Sequence, residues 1–523
     1  MDSIELSLFV SRMEAVCDEM GVVLRRTAFS PNIKDRLDFS CALFDASGDL
    51  CAQAAHIPVH LGSMAFAMRS IVDRFEWQDG DVLILNDPFL GGTHLPDVTV
   101  IAPLLDQQGE LLAFVVNRAH HANIGSDTPG SMPNSSCLQE EGLIIEPQKL
   151  YSQGRLNQSL AEQLAALQSR AARTQDDDIG GDFAAQISAL HAGKQGLTKL
   201  IHQLGREQFT QALKALNDYG EQIALSSLSK LPVGSYAFTD YMDDDGLGNR
   251  DLRINLQLTV TEGRIVADFT GTDQQAAGNV NCPLSVTAAA VYYVFRCLMP
   301  ENTPACAGIF RHIHLQAPAG SLVNAVFPAA VVAGNVETSS RIVDVVLGAL
   351  QSALPGEIPA ASQGTMNNIA MGYYSEKQHW DYYETLAGGT GAGADFDGLS
   401  AVHSHMTNTL NTPVESLELH YPVRIRRYAI RRGSGGSGKH RGGDGLSREY
   451  EFLEKTQVSI LSERRTHGCW GLLGAQAGDA GENLLDGKAL AGKCSFMALP
   501  GQRLSINTPG GGGWGRGETA AIS

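Results

Sequence analysis

The order of apolar and polar positions changes along the chain and predicts segments of different secondary structure. The first residues carry apolar side chains at helical spacing, after which short apolar runs separated by Gly, Asp and Pro predict strands. These runs are CALFD, DVLILN, VTVIAPLL and ELLAFVVN. We therefore predict an N-terminal α/β region over residues 1–154.

Helical spacing returns over residues 155–230, where Ala, Leu, Gln and Glu dominate, as in LAEQLAALQSRAA and FTQALKALNDYGEQIALSSL. The stretch DDDIGGDF at 176–183 interrupts this pattern, and its paired glycines favour a loop. The pattern predicts a helical segment inserted between two regions of mixed structure.

Strands and helices alternate again from residue 231. The runs DLRINLQLTV and RIVADFTG flank the turn TEG and predict a hairpin, whereas SVTAAAVYYVFRCL and SSRIVDVVLGALQSAL predict helices. We expect a central α/β domain over 231–410 and a β- and glycine-rich region over 411–523. The predicted fold class is α+β: multi-domain, with mixed, mostly antiparallel sheets, a helical insertion and glycine-rich loops.

Two runs in the last region are very rich in glycine, RRGSGGSGKHRGGDG at 431–445 and NTPGGGGWG at 507–515. Such composition is typical of flexible linkers and of disordered tails. The alternative for residues 508–513 is a bare backbone that approaches a substrate closely, which glycine permits.

Composition narrows the class of partner. The chain has 523 residues, 43% of them hydrophobic, and a net charge of −18. Such a charge disfavours nucleic acid and anionic membranes as partners, because both bind basic surfaces.

The N-terminal residues include acidic groups, unlike a signal or transit peptide, and no run of eighteen apolar residues occurs. A cytoplasmic location is therefore expected. The nine scattered cysteines predict reduced thiols, mostly in the core.

A candidate site lies in NDPFLGGTHLPDVTVIAPL and the strand that follows it. The four-residue loop DQQG at 106–109 predicts a β-hairpin. Continuing the ladder from that loop places Asp97 opposite Arg118 and Leu95 opposite His120. The open end of the hairpin would then hold the candidate catalytic residues His94, Asp97, His120 and His121.

Two imidazoles and a carboxylate at one loop end form a ligand set for a divalent metal with an open position for water or substrate. The set does not choose among Zn, Mn and Fe. Asp38 or Asp87 could add a ligand or orient an imidazole. The alternative interpretation is that the histidines only hydrogen-bond at strand ends and that Asp97 caps a turn.

Longer blocks of the chain resemble the hydantoinase B/oxoprolinase family. The resemblance begins with RTAFSPNIKDRLDFSCALFD and the candidate site, includes RAHHANIGSDTPGSMP, VADFTGTDQQAAGNVNCP and GNVETSSRIVDVVLGAL, and ends with GKHRGGDGLSREYEF and NTPGGGGWG. It covers nearly the whole chain.

This resemblance implies ATP-dependent opening of cyclic amides such as hydantoins, 5-oxoproline or lactams, with the ATP site on a hydantoinase A-type partner in a hetero-oligomer. The implied metal ligands are His94, Asp97 and His120, with Asp38 as an extra carboxylate. The sequence HHANIGS departs from the commoner HHADIGG at Asn123 and Ser126, so His121 is a secondary candidate that would hydrogen-bond substrate. An ATP site on a partner agrees with the absence of GxxxxGK[ST] from this sequence.

The leading hypothesis is that a metal-bound water attacks a substrate activated by phosphorylation at the A-type partner. The alternatives are a subunit of a ketone carboxylase of the acetone or acetophenone type, and a noncatalytic scaffold for the partner.

Three further residues have two interpretations each, and two histidines have one. Glu337, Asn335 and Arg341 would orient substrate or serve the start of the helix that follows. His403 and His405 alternate with apolar residues as on a strand, where both would face one side and form structural hydrogen bonds.

Overall fold

The computed structural model describes residues 2–55, 57–167, 180–374 and 379–517. The described chain has helices and four open sheets that are antiparallel except for one strand pair. This confirms the predicted α+β class. Part of the predicted loop, residues 176–179, and the end of LAEQLAALQSRAA lie outside the described residues.

The helices confirm the predicted helical runs within the described residues. They are α1 (Ser3–Thr27), α2 (Pro31–Lys34), α3 (Pro58–Val72), α4 (Gln158–Leu167), α5 (Gly181–Leu204), α6 (Arg206–Leu228), α7 (Leu284–Cys297), α8 (Ser339–Ala353) and α9 (Val414–His420). Each described helix is too short or too polar to cross a lipid bilayer.

Each of the predicted apolar runs forms a strand, and the structure contains further strands. In chain order they are β1 (Phe39–Asp45), β2 (Leu50–Ala55), β3 (Val82–Leu85), β4 (Asp97–Leu105), β5 (Leu111–His120), β6 (Gln148–Ser152), β7 (Arg155–Leu156), β8 (Gly234–Asp244), β9 (Arg250–Thr261), β10 (Arg264–Asp268), β11 (Ile313–Gln316), β12 (Asn368–Tyr374), β13 (His379–Glu384), β14 (Val423–Arg431), β15 (Gly445–Phe452), β16 (Thr456–Leu461), β17 (Glu482–Leu485), β18 (Lys488–Leu490), β19 (Lys493–Ala498) and β20 (Arg503–Asn507).

Four sheets result from these strands. The N-terminal sheet has the order β2-β1-β5-β4-β3-β6-β7, and the second has the order β11-β10-β9-β8 with the predicted β9–β10 hairpin. The third and fourth are β13-β12-β16-β19 and β14-β15-β20-β17-β18. The largest hydrophobic core runs from Phe9 to Leu461 and so includes residues of all four predicted segments.

Helices cover both faces of the N-terminal sheet. Helix α1 starts with a capping box, in which Asp2 accepts from Glu5 N at 2.8 Å and Glu5 accepts from Asp2 N at 3.0 Å. Its buried side chains recur at helical spacing. Helix α5 packs beside it at Gly193, where a Cβ would lie 2.5 Å from Met20 Sδ. Helix α3 covers the opposite face.

The β4–β5 hairpin forms with a register two residues away from the predicted one. Asp97 pairs with His120, not with Arg118. The prediction was wrong because Leu105 pairs with Leu111 and not with Glu110, and because an irregularity between Leu104 and Leu105 shifts the pairing by one more residue. A shift of two residues keeps every side chain on its face of the sheet, so His94, Asp97 and His120 still come together.

The two glycine-rich runs pack closely against each other in the fold. Gly436 N donates to Gly511 O at 2.9 Å, and Gly511 N donates to Gly443 O at 2.9 Å. A Cβ on Gly511 would lie 2.0 Å from Thr390 O. Backbones at this spacing exclude any side chain, so the linker and disordered-tail interpretations of the described glycine-rich runs are wrong.

All nine cysteines have free thiols, as expected from their scattered positions. Six of them are buried.

Candidate metal centre

Three of the candidate side chains lie together at the open end of the β4–β5 hairpin. Asp97 Oδ1 is 3.1 Å from His94 Nε2 and 3.1 Å from His120 Nδ1. One ligand atom from each residue lies within 4.8 Å of the others, and all three side chains are buried. The fold thus brings two imidazoles and a carboxylate to one point.

The turn before β4 positions His94. Asn86 Nδ2 donates to Leu95 O at 2.8 Å, which ties the end of the loop to its beginning. A Cβ on Gly92 would lie 2.4 Å from Asn86 O, so the loop needs glycine at this point. Asp87 caps the short helical turn at the start of the loop, where its Oδ1 accepts from Phe89 N at 2.8 Å.

The two oxygens of Asp97 have different neighbours. Oδ1 faces the two histidines, whereas Oδ2 accepts a hydrogen bond from Thr93 Oγ1 at 2.6 Å. His60 Nε2 lies 3.3 Å from Oδ2, and Asn335 Nδ2 donates to it over 3.5 Å. These neighbours therefore hold the carboxylate through Oδ2, and Oδ1 remains available to the cluster.

Unpartnered ring nitrogens indicate that these residues suit a metal ion. The Nε2 atoms of His94 and His120 are buried and have no hydrogen-bond partner among the described residues. His94 Nε2 is near Asp97 Oδ1 but is not aligned for a hydrogen bond. An unpaired buried nitrogen costs about 1–3 kcal/mol, which binding a metal through its lone pair would offset. The donor set fits the predicted Zn, Mn or Fe.

Burial and charge set the protonation of the cluster. Burial lowers the pKa of His120, which favours the neutral ring. Burial alone would raise the pKa of Asp97, but the nearby His94 and the hydrogen bonds from His120 and His60 hold that pKa well below its usual value. Burial alone would lower the pKa of His94. The negative charge of Asp97 outweighs this effect, so the pKa of His94 is raised. An ionised Asp97 and a neutral His120 are the forms that bind metals.

The cluster lines a cavity of about 20 Å³, which has room for one water molecule or ion. The Tyr383 ring of β13 stacks on His120, with ring centroids 4.9 Å apart and an angle of 15°. The other walls come from the start of α3, the π-helical turn Gly334–Thr338 before α8, and Thr385, Thr407 and Thr409.

Arg36 supports the wall opposite the cluster. Its Nη1 donates to Tyr383 O at 3.0 Å, and its Nη2 donates to the hydroxyls of Thr385 and Thr409 at 3.3 and 3.4 Å. The guanidinium is fully buried. Arg36 therefore fixes the third sheet against the N-terminal region across the cavity.

Asp38 lines the same cavity but does not join the cluster of ligand atoms. Its Oδ2 lies 3.8 Å from Arg36 Nη2, and its backbone oxygen accepts from His120 N at 3.0 Å. Its role as a fourth ligand stays a prediction.

His121 lies on the opposite face of the sheet, because adjacent residues at a strand end point to opposite sides. Its Nε2 is 2.9 Å from Gln186 Oε1, and its ring stacks on Phe183 with centroids 4.1 Å apart. The fold therefore places His121 in the interface with α5 and away from the cavity.

The other candidates make structural contacts. Glu337 Oε1 accepts from Met366 N at 3.0 Å and Asn368 Nδ2 at 2.6 Å and does not cap α8. Arg341 Nη2 donates to Glu463 at 3.1 Å. Asn123 Oδ1 accepts from Gly125 N at 2.8 Å within a turn.

The predicted strand at His403 and His405 is wrong. Both residues lie in a loop, and His405 has a φ of 57°. Val402 forms an isolated bridge with Gly388, but the pairing does not extend to His403 or His405, so the alternation does not produce a strand.

Two neighbours of Asp97 were not predicted. His60 stands among apolar residues in α3, and Thr93 directly precedes His94. Thr93 was detectable in principle, since a hydroxyl four residues before a carboxylate on a glycine-rich turn can reach it. No local pattern distinguishes His60 from a core histidine.

Comparison with known proteins gives the family. The profile of the Hydantoinase B/oxoprolinase family matches residues 2–517. The chain belongs to this family. It is similar to 5-oxoprolinase 1 of Arabidopsis thaliana, with 40% identity over 98% of this chain and 42% of that one. This member of the hydantoinase B family thus spans about two fifths of the length of that relative.

A shorter relative, from a Pseudomonas species, is named as the putative B-type component of a D-/L-hydantoinase and is 32% identical over 98% of this chain and 90% of its own length. Among solved structures, the ATP-dependent caprolactamase of Pseudomonas jessenii matches 99% of this chain and 91% of its own, with 27% identity and a TM-score of 0.90. Acetone carboxylase in its nucleotide-free form shares the fold, with 18% identity over 98% of this chain and 76% of its own and a TM-score of 0.86.

Proposed function

We propose that this chain is the B-type component of an ATP-dependent cyclic-amide hydrolase and that His94, Asp97 and His120 bind its divalent metal. The observation that carries the proposal is the buried cluster of these three residues, with one ligand atom from each within 4.8 Å of the others. It stands in a chain that matches the hydantoinase B family over residues 2–517. Relatives named as a hydantoinase component and a caprolactamase support an amide substrate.

A divalent metal at this site would polarise a carbonyl oxygen and lower the pKa of a water molecule. The residues of the chain provide the conditions for that chemistry. Asp97 supplies the negative charge that offsets the ion, and the rings of His94 and His120 supply lone pairs in their neutral forms. Burial of the cluster lowers the local dielectric, which strengthens the effect of the charge on a reacting carbonyl.

An amide resists hydrolysis because resonance stabilises it, so we propose that a partner of the hydantoinase A type phosphorylates the substrate oxygen and turns it into a leaving group. The proposal of a separate ATP-binding chain rests on two observations. The sequence has no GxxxxGK[ST] motif, and one relative is named as one component of a hydantoinase with several subunits.

The test uses the chain copurified with its A-type partner, with a hydantoin, 5-oxoproline and a lactam as substrates. His94→Ala should abolish ring opening and largely spare ATP consumption by the partner. A matched control is His202→Ala, because His202 is exposed on α5 and lies far from the cluster residues in the sequence. Full amidase activity in His94→Ala refutes the role of the cluster.

Two alternatives give different results in the same preparation. A ketone carboxylase would incorporate labelled bicarbonate into a ketone and open no cyclic amide. A noncatalytic scaffold need not hold stoichiometric metal, and elemental analysis of the purified chain bears on this directly.

A further inference from the structure

We propose that Thr93 and His60 fix the carboxylate of Asp97 so that it binds the metal through Oδ1 alone, and that Ser40 orients His60 for this task. The inference rests on the proposed metal-binding function. It assigns positioning roles to three residues that lie outside the ligand set.

Thr93 makes the shortest contact to Asp97. Its hydroxyl donates to Oδ2 at 2.6 Å, and both side chains are buried. A hydroxyl donating to an ionised carboxylate at 2.5–2.7 Å is a strong, charge-assisted bond. Because Thr93 and Asp97 belong to one tight turn, the bond also fixes the side-chain torsion of Asp97 relative to the neighbouring His94.

His60 approaches the same oxygen from α3. Its Nε2 lies 3.3 Å from Asp97 Oδ2, and its Nδ1 lies 3.0 Å from Ser40 Oγ. An ionised carboxylate only accepts hydrogen bonds, so Nε2 carries the proton that points at Asp97. In the neutral ring, Nδ1 then accepts from the Ser40 hydroxyl. The carboxylate thus sets the tautomer of His60, and Ser40 on β1 holds the ring in the orientation in which Nε2 donates to Asp97.

These contacts give the two carboxylate oxygens of Asp97 different roles. Oδ2 has donors from a loop, a helix and, through Asn335 at 3.5 Å, the π-helical turn before α8. Oδ1 accepts from His120 Nδ1 at 3.1 Å and lies 3.1 Å from His94 Nε2, so its neighbours are the two candidate ligand histidines. A carboxylate held in this way binds one coordination position, which leaves a further position on the ion for water or substrate.

Metal affinity tests the role of Thr93 without measuring activity. Chelator-treated protein is titrated with Zn²⁺ and, separately, Mn²⁺ against a competing chelator. Loss of an outer partner typically weakens metal binding by about 10–100-fold, and we expect this for Thr93→Val. Thr93→Ser keeps the hydroxyl and should retain most of the affinity.

The matched control is Thr287→Val. Thr287 is also buried, and its hydroxyl also donates over 2.6 Å, but to Val323 O in a different part of the core. Thr287→Val should leave metal affinity unchanged. Weakening of equal size in Thr93→Val and Thr287→Val would mean a general effect on stability and overturn the assignment of Thr93.

Two variants of His60 test the inference independently. They also test it if Thr93→Val fails to fold. His60→Leu removes the donor and should weaken binding, whereas His60→Gln keeps a donor and should lose less. Wild-type protein that binds no stoichiometric metal overturns the proposed function and this inference together. Wild-type protein that binds metal, with unchanged affinity in Thr93→Val and His60→Leu, overturns this inference alone.

Discussion

Asp97 and His120 are direct cross-strand partners on β4 and β5, and Asp97 Oδ1 lies 3.1 Å from His120 Nδ1. Directly opposite residues on one face of an antiparallel pair have Cβ atoms about 5 Å apart, which lets both side chains reach a common ion. His121 follows His120 in the chain but packs on Phe183 on the other side of the sheet. Two adjacent histidines therefore have different expected functions.

Substitution of these neighbours separates the metal site from the packing around it. We expect His120→Ala to reduce bound metal to far below one equivalent, because the ion loses one of three ligands. His121→Ala should keep its metal, although loss of the Phe183 contact will lower the thermal unfolding midpoint. Elemental analysis and thermal unfolding of both variants check this. Equal metal content in the two variants would contradict the proposed ligand set.

A buried carboxyl group behind the cluster predicts a pH dependence of stability. Glu141 Oε1 accepts from Val331 N, Val332 N and Ser135 Oγ at 2.8, 2.9 and 2.8 Å, whereas Oε2 has no partner among the described residues. Burial raises the pKa of Glu141 to about 7 despite these three donors. The folded protein therefore binds this proton more tightly than the unfolded chain does.

Since the folded pKa is the higher one, the stabilisation from the protonated form is complete below about pH 4.5 and is lost as the pH rises through about 7. The loss is on the order of 1–3 kcal/mol. Glu141→Gln mimics the neutral acid at every pH. Between pH 5 and 8 its unfolding midpoint should fall less than that of the wild type. Parallel curves for the two proteins would show that Glu141 does not titrate in this range.

A buried arginine holds two elements of the core together. Arg464 Nη2 donates to Asp240 of β8 at 2.9 Å and to Asp344 of α8 at 2.5 Å. Removing one partner of a buried ion pair leaves an uncompensated charge and costs about 3–5 kcal/mol. Arg464→Met should therefore lower the thermal midpoint strongly.

The control for that variant is Arg503→Met. Arg503 lies 3.7 Å from Glu449, and its side chain is 53% exposed. Exposed ion pairs contribute about 0–1 kcal/mol, so the midpoint should barely change. A similar small change in Arg464→Met would mean that the buried network adds little to stability.

The packing of the glycine-rich runs predicts sensitivity to a single methyl group. A Cβ on Gly511 would lie 2.0 Å from Thr390 O, and the neighbouring backbones leave no room for it to move away. Overpacking a dense core costs about 1–3 kcal/mol or more. Gly511→Ala should therefore lower the unfolding midpoint or the yield of folded protein.

The matched substitution is Gly517→Ala, where the nearest atom to a Cβ would be Gly438 O at 3.5 Å. This variant should behave like the wild type. If Gly511→Ala were equally well tolerated, the close backbone packing around residue 511 would not be a feature of the folded protein.

The sequence predicted much of the local structure and part of the site. The apolar runs predicted β4 and β5, and the short loop between them predicted a hairpin. It did not predict the register, because neither the pairing of Leu105 with Leu111 nor the irregularity at Leu104 has a signature in a run of apolar residues. Similarly, alternation at His403 and His405 predicted a strand that does not form, since a strand needs a pairing edge that only the whole fold provides.

The sequence by itself determined the α+β fold class, the ends of the hairpin and the three side chains gathered there, because these depend on periodicity and on neighbours close along the chain. Only the tertiary structure decided that His60 and Asn335 reach Asp97 and that His121 does not share its cavity. His60 and Asn335 are 37 and 238 residues from Asp97. Contacts over such separations depend on how helices and sheets pack, and that packing is set by burial across the whole chain.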